Sequence, residues 1–338
     1  MRSHRATLTT AATTLAAVAL LVSGCGAPGS SGTTTPAATS ASSSGLPTCA
    51  PVAGDTFVAL TDDKHLQNPD NIIPAINAAA ATADPELTTL LDSVSAVLDT
   101  PTLVGLNKSV DVDRKTSVQV AKAFVADKGL AASDKVGAGK KVVVGAPNFS
   151  EGATLANIYA DVLASAGYDA STQDVGNREL YLTDLESGAI TVVPEYVSTL
   201  TEFLNTKKNG ANAPAVATPD LTATVAKLTE LGSGVGLSFG TPAAAQDQNA
   251  FAVTTAFADK YKVKTLSQLA SACGGIILGG PPECPDRTFC EVGLKSTYGL
   301  DITEFTSLDA GGNLTKDALR QGKITLGLIF SSDASLAS

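Results

Sequence analysis

Short β-branched runs alternate along this chain with stretches whose apolar residues recur every three to four positions. Val142, Val143 and Val144 form one such run and turn at Gly145 into Pro147-Asn148-Phe149-Ser150-Glu151. Leu155, Ile158, Tyr159, Val162 and Leu163 then fall on one helical stripe, with Gly167 placed as a C′ residue. A second strand-helix-strand cycle ends at Pro194-Glu195-Tyr196. Upstream, Phe57–Leu60 reads as a short strand. Helical stripes follow over 85–98 (Leu87, Leu90, Leu91, Val94, Leu98), 101–108 and 116–128 (Val118, Val120, Ala121, Phe124, Val125). Downstream, 205–235 is thin in pattern, and Ile276–Leu278 is a strand before the loop Gly279–Cys284. Strands and helices in turn predict an α/β architecture.

The first residues follow another logic. Arg2 and Arg5 precede an apolar stretch, Ala11–Val22, interrupted only by Thr13 and Thr14. Val22-Ser23-Gly24-Cys25 then fits a lipobox, so residues 1–24 are expected to be a lipoprotein signal peptide and Cys25 an acylated N-terminus on the outer face of the cell membrane. Residues 25–54 are mostly Ser, Thr, Gly, Ala and Pro, the composition of a flexible leash. No later stretch reaches the ~18 apolar residues of a membrane span. The formal charge is −10, and loss of Arg2 and Arg5 takes it to −12. That balance, with no Lys/Arg run, argues against nucleic acid as a partner.

Catalytic and metal chemistry find little to work with. There is no G-x-S-x-G, H-E-x-x-H or P-loop pattern, and beyond the signal only His65 remains of two histidines. No enzyme activity, cofactor or metal site is expected. Of five cysteines, Cys49, Cys273, Cys284 and Cys290 lie beyond Cys25. An even number in an exported chain points to disulfides, with metal ligation or free thiols as the competing reading. The local spacing of Cys284 and Cys290 predicts that they pair and hold Arg287 in the loop between them. An exported thiol-dependent enzyme using these two residues is the reading that free thiols would favour.

The order Asn148-Phe149-Ser150-Glu151, Gly176-Asn177-Arg178-Glu179 and Gly188-Ala189-Ile190-Thr191-Val192-Val193-Pro194-Glu195-Tyr196 resembles the opening of the glycine-betaine/osmoprotectant (quaternary amine) binding proteins of ABC importers. Residues 57–130 resemble the close of the same family, through Leu60–Gln67 (Asp62-Asp63-Lys64), Asn71–Pro74 and Gly105–Asp111. The family's close thus precedes its opening, and the chain reads as a circular permutant. The implied fold is two-lobed, periplasmic-binding-protein-like of type II, with a hinged cleft. Lobe 1 is expected over 55–245 (55–130, then 141–245) and lobe 2 over 246–338. In that division one crossing between lobes is cut. With 284 and 290 paired, Cys49 and Cys273 are left to pair and restore it.

The resemblance implies a solute-binding protein that closes on a small cationic or zwitterionic solute of the betaine class and delivers it to a membrane permease. A ligand sensor or scaffold that no longer serves transport is the alternative. The binding residues carried over are Asn148, Phe149, Ser150, Glu179, Tyr196, Asn249, Arg287, Glu291 and Phe330. Tyr196 and Phe330 supply rings of the family's cation–π cage. Glu179, Asn249 and Glu291 stand where the family has further rings, and Arg287 is placed to clamp a ligand carboxylate. Ser150 and Thr315 are expected as helix N-caps facing the cleft.

Overall fold

The computed structural model describes residues 45–336; the expected signal peptide, the lipidation site Cys25 and the expected leash as far as residue 44 lie outside them. In chain order the elements are β1 (Phe57–Ala59), β2 (Ile72–Asn77), α1 (Ala78–Ala83), α2 (Pro85–Ser95), α3 (Thr100–Asp111), α4 (Ser117–Asp127), β3 (Lys141–Pro147), α5 (Ser150–Ser165), β4 (Asp169–Gly176), α6 (Arg178–Ser187), β5 (Val192–Tyr196), α7 (Val197–Asn209) and α8 (Leu221–Ser233). They continue with β6 (Leu237–Phe239), β7 (Asn249–Thr254), α9 (Thr255–Tyr261), α10 (Leu266–Ala272), β8 (Ile276–Gly280), α11 (Glu291–Gly293), β9 (Ile302–Ser307), α12 (Asn313–Arg320) and β10 (Leu326–Phe330). No helix among the described residues is long and apolar enough to cross a membrane.

The strands form two five-stranded sheets, β4-β3-β5-β2-β6 and β1-β7-β10-β8-β9. In the first, β3 runs parallel to β4 and β5, whereas β2 is antiparallel to β5 and β6. All six residues of β2 are buried, as befits a strand covered on both faces. One face is packed by α2 to α5, whose stripes meet Ile72, Val142, Val144 and Val192. On the other face, α6 to α8 pack Tyr181, Leu185, Leu200, Leu204 and Leu228 around Ile73 and Val193. The weakly patterned stretch 205–235 therefore contains a packed helix, α8. The second sheet has its own core around Phe251, Phe257, Leu266, Leu278 and Leu294. Gly167 closes α5 with φ +91°, a value that glycine adopts without strain.

Two expected boundaries are corrected. β1 pairs with β7, and Cys49, Leu60 and Leu66 are buried in the second core, so residues 45–66 belong to the second lobe. The leash expected over 25–54 does not extend over 45–54, where Thr48 bridges Gly274 and Cys49 is buried. The chain enters the first lobe near residue 70 and returns near 246. The two crossings touch: Asn71 bridges Gln246, and the Asp247 N–H donates to the Asp70 carbonyl at 3.1 Å. Both connections are thus covalent, which overturns the expectation of a cut crossing. The Cys49–Cys273 disulfide does form, with Cα atoms 5.2 Å apart, but both cysteines lie in the second core. It fastens the second lobe's N-terminal segment to the rest of that lobe.

This bridge closes a loop spanning 224 positions. Joint replacement Cys49→Ala/Cys273→Ala is expected to lower the unfolding free energy by about 2–4 kcal/mol, through the larger entropy of the unlinked unfolded chain. Urea titration against the oxidised parent measures it, and a loss under about 1 kcal/mol contradicts the expectation.

Two expected caps are also corrected. Ser150 is the first residue of α5, not its cap; its hydroxyl donates to Asp111 Oδ2 at 3.2 Å. Thr315 lies inside α12, where the Asp309 carboxylate accepts the Leu314 and Thr315 N–H groups, both at 2.9 Å.

Candidate functional site

A cavity of about 260 Å³ lies between the two sheets. From the first lobe it takes the turn after β3, the start of α6 and the end of β5. From the second it takes the loop 281–290 and the end of β10, and Asp70 and Asp247 enter from the two crossings.

Three aromatic rings make one wall. Phe149 stands 5.5 Å from Phe330 and 6.2 Å from Tyr196, centroid to centroid, with tilts of 40° and 37°. Phe330 can sit there because Gly311, at φ +69°, has no Cβ; one would come within 2.9 Å of its ring. The Tyr196 hydroxyl donates to Glu151 Oε1 at 2.6 Å.

The rest of the wall is acidic. Seven carboxyl groups (Asp70, Glu179, Glu195, Glu202, Asp247, Glu283, Asp286) accompany two guanidiniums, Arg178 and Arg287. Both arginines are engaged by the protein itself. Arg178 holds buried Glu195 with Nε to Oε1 at 2.8 Å and Nη2 to Oε2 at 2.5 Å, and Tyr181 donates to the same carboxylate at 2.6 Å. Arg287 reaches across the cleft to Glu179, at 3.1 and 2.9 Å. Asn177 adds a second cross-lobe bond, to Glu283 at 3.1 Å.

Glu179 and Arg287 were expected to contact a ligand. Both line the cavity, yet the structure joins them to each other, because the start of α6 lies against the disulfide loop. Their side chains keep 34% and 31% of their accessible surface, so solvent screens the pair and it is worth at most about 1 kcal/mol. The loop is closed by the predicted Cys284–Cys290 disulfide, and the Phe289 carbonyl is held by Gln67 at 2.9 Å and Asn249 at 3.0 Å.

Of the residues carried over from the resemblance, Asn148, Phe149, Glu179, Tyr196, Asn249, Arg287 and Phe330 meet around this cavity. Ser150 faces a neighbouring cavity of about 250 Å³ behind Phe149 and Phe330, with Asp111 and Lys316. Glu291 does not line the main cavity among its described walls; at the start of α11 its carboxylate turns to Lys295, one turn on, at 2.5 Å. The floor carboxyls were missed. Asp70 accepts the Ser198 and Thr199 N–H groups at 2.7 and 3.2 Å, and Asp247 accepts that of Ser332 at 2.9 Å. Burial pushes the Asp70 carboxyl up to about 7, against the pull of those amides and Arg178. The Glu151 carboxylate accepts from the Asn107 amide and from the Tyr196 and Ser332 hydroxyls. Desolvation raises both Glu151 and Asp247, the latter further through repulsion by Glu151. Burial and, for Asp247, the neighbouring Glu151 carboxylate both favour the protonated forms.

The model of the substrate binding domain of ABC-type glycine betaine transport systems matches residues 47–127 and 140–338. The chain belongs to this family. Among solved structures, apo YehZ from Escherichia coli is 24% identical over 61% of this chain and 72% of that one, with a TM-score of 0.38. A glycine betaine/carnitine/choline ABC transporter structure is 20% identical over 58% and 71%, with a TM-score of 0.36. No curated protein matches the sequence. The two-lobed α/β fold is that of the family's substrate-binding proteins.

Proposed function

We propose that this protein is an extracytoplasmic solute-binding protein of an ABC importer, tethered through acylated Cys25. It captures a small cationic or zwitterionic solute between its lobes and hands it to a permease by hinge closure. The observation that carries this reading is the cavity itself: a three-ring wall facing a carboxyl-rich floor at the junction of two lobes. Rings and carboxylates attract the same sign of charge. The paired crossings at Asn71 and Gln246 supply a hinge, and the weak Glu179–Arg287 latch makes closure reversible.

The same reading takes the chain as a circular permutant. It is supported by the family match falling in two blocks parted at 128–139, a gap that overlaps the polar stretch 131–140 between the segments that resemble the family's close and its opening. The new ends then lie in the second lobe, where the Cys49–Cys273 bridge secures one of them.

Binding of glycine betaine, choline and related cations, followed by calorimetry on the wild type and on Tyr196→Ala and Phe330→Ala, tests the site. Each substitution is expected to weaken binding by roughly 1–3 kcal/mol through lost ring burial and cation–π attraction. Unchanged affinity in both variants places the ligand elsewhere.

A further inference from the structure

We infer that the cavity takes an organic cation that carries N–H donors and no carboxylate: a protonated amine or guanidine on a short hydrocarbon body. The inference rests on the solute-binding reading above and narrows its substrate class.

A ligand carboxylate needs a positive charge in the wall to offset its own, and the two guanidiniums there are already paired. Arg178 is bound through two nitrogens to Glu195, and Arg287 through two to Glu179, with Glu283 at 3.4 Å as well. Breaking the exposed Arg287 pair costs little, but it frees Glu179 and adds the ligand's carboxylate to a wall where carboxyl groups already outnumber guanidiniums seven to two. Glycine betaine, arginine or any α-amino acid brings its negative end into that field. The surplus of negative charge, rather than any single pair, works against the ligand's own carboxylate.

The floor specifies the other half. Among the described residues, the ion pairs of the wall leave Asp70 and Asp247 without a cationic partner. Both are nearly fully buried, on the two crossing strands, beside the ring wall. A trimethylammonium brings charge but no hydrogen, so a buried acceptor facing it gives up water without a replacement bond. An ammonium or guanidinium supplies charge and donors together, and charge-assisted bonds of that kind are the strong ones. Phe149, Phe330 and the ring of Tyr196 offer contact to a hydrocarbon body. The volume of about 260 Å³ limits the body to a small molecule.

Matched ligands separate these requirements. Calorimetric titration of the oxidised full chain should use ethanolamine, putrescine, agmatine and phenethylamine, each beside its α-carboxylated counterpart (serine, ornithine, arginine, phenylalanine). Choline serves as trimethylated ethanolamine, N,N,N-trimethylphenethylammonium as the second such pair, and glycine betaine as the family reference. For the amine that binds best, the carboxylated counterpart is expected to bind at least tenfold more weakly. Where a trimethylated counterpart exists, it should also lose at least tenfold. Asp70→Asn, which keeps an acceptor for the Ser198 amide, should lower amine affinity at least tenfold while still unfolding cooperatively. Glycine betaine or a trimethylated ligand binding as tightly as the best amine overturns the inference and leaves the solute-binding reading standing. Binding by no member of the panel overturns both.

Discussion

Arg178→Ala lowers the unfolding free energy by about 3–5 kcal/mol, the cost of leaving a buried carboxylate without its partner. Glu195 keeps 1% of its surface, and Arg178 spans it with two nitrogens. After the substitution the Tyr181 hydroxyl and the Tyr196 N–H still donate to Glu195, but no positive charge offsets its desolvation. The damage comes from the survivor, so Arg178→Met/Glu195→Gln is expected to recover most of the loss. Urea unfolding of the three proteins at neutral pH checks this. A single-variant loss below about 1 kcal/mol, or a double variant no better than the single, contradicts it. The pair also bears on binding, since it ties the start of α6 to the end of β5 and thereby sets the cavity's first-lobe wall.

How much of this could be read from the sequence depended on distance along the chain. The stripes of α2 and α5 stood out because four or five large apolar residues repeat on one face; that of α4 is carried by Val120, Ala121, Phe124 and Val125, while Val118, expected with them, is exposed. α8 did not stand out, because its buried positions include Thr224 and Gly232 beside Leu228 and Leu231, too sparse a stripe to register. Phe149, Tyr196 and Phe330 were found through short motifs that fix a strand end, and strand ends border the cavity. Arg287 and Glu179 were found as residues but not as partners, since they lie 108 positions apart and on different lobes. Asp70 and Asp247 escaped notice for the same reason. In sequence each is one acid in a polar connection, and only the pairing of the two crossings makes them a floor. β1 was assigned to the wrong lobe because a three-residue strand shows no preference for a sheet until its partner, β7, is known.

Stability of the unliganded protein is expected to fall as pH rises from about 4 to 8, by up to roughly 4 kcal/mol on account of Asp70 alone, taking 1.4 kcal/mol per pH unit of displacement. The folded carboxyl titrates at about 7 and the unfolded one at 3.8. Between those values the folded state holds a proton that the unfolded state has released, so raising the pH favours unfolding. The stabilisation is complete below the unfolded value and gone above the folded one. Arg178 and Asp247 are the charged groups facing Asp70; the first opposes the shift, while the second adds to it as it ionises. Glu151 and Asp247, also raised, slope in the same direction. Asp84 and Glu179, held low by Lys140 and Arg287 against the effect of burial, slope in the opposite one. The difference between wild type and Asp70→Asn isolates the contribution, because the amide does not titrate. Unfolding free energies of both proteins at pH 4, 6 and 8 should converge or cross as pH rises, with wild type losing several kcal/mol relative to the variant. Parallel profiles would show that folding leaves the Asp70 carboxyl near its unfolded pKa. A cation bound at the floor works against the same proton, so its affinity should climb over the window in which the unliganded protein weakens.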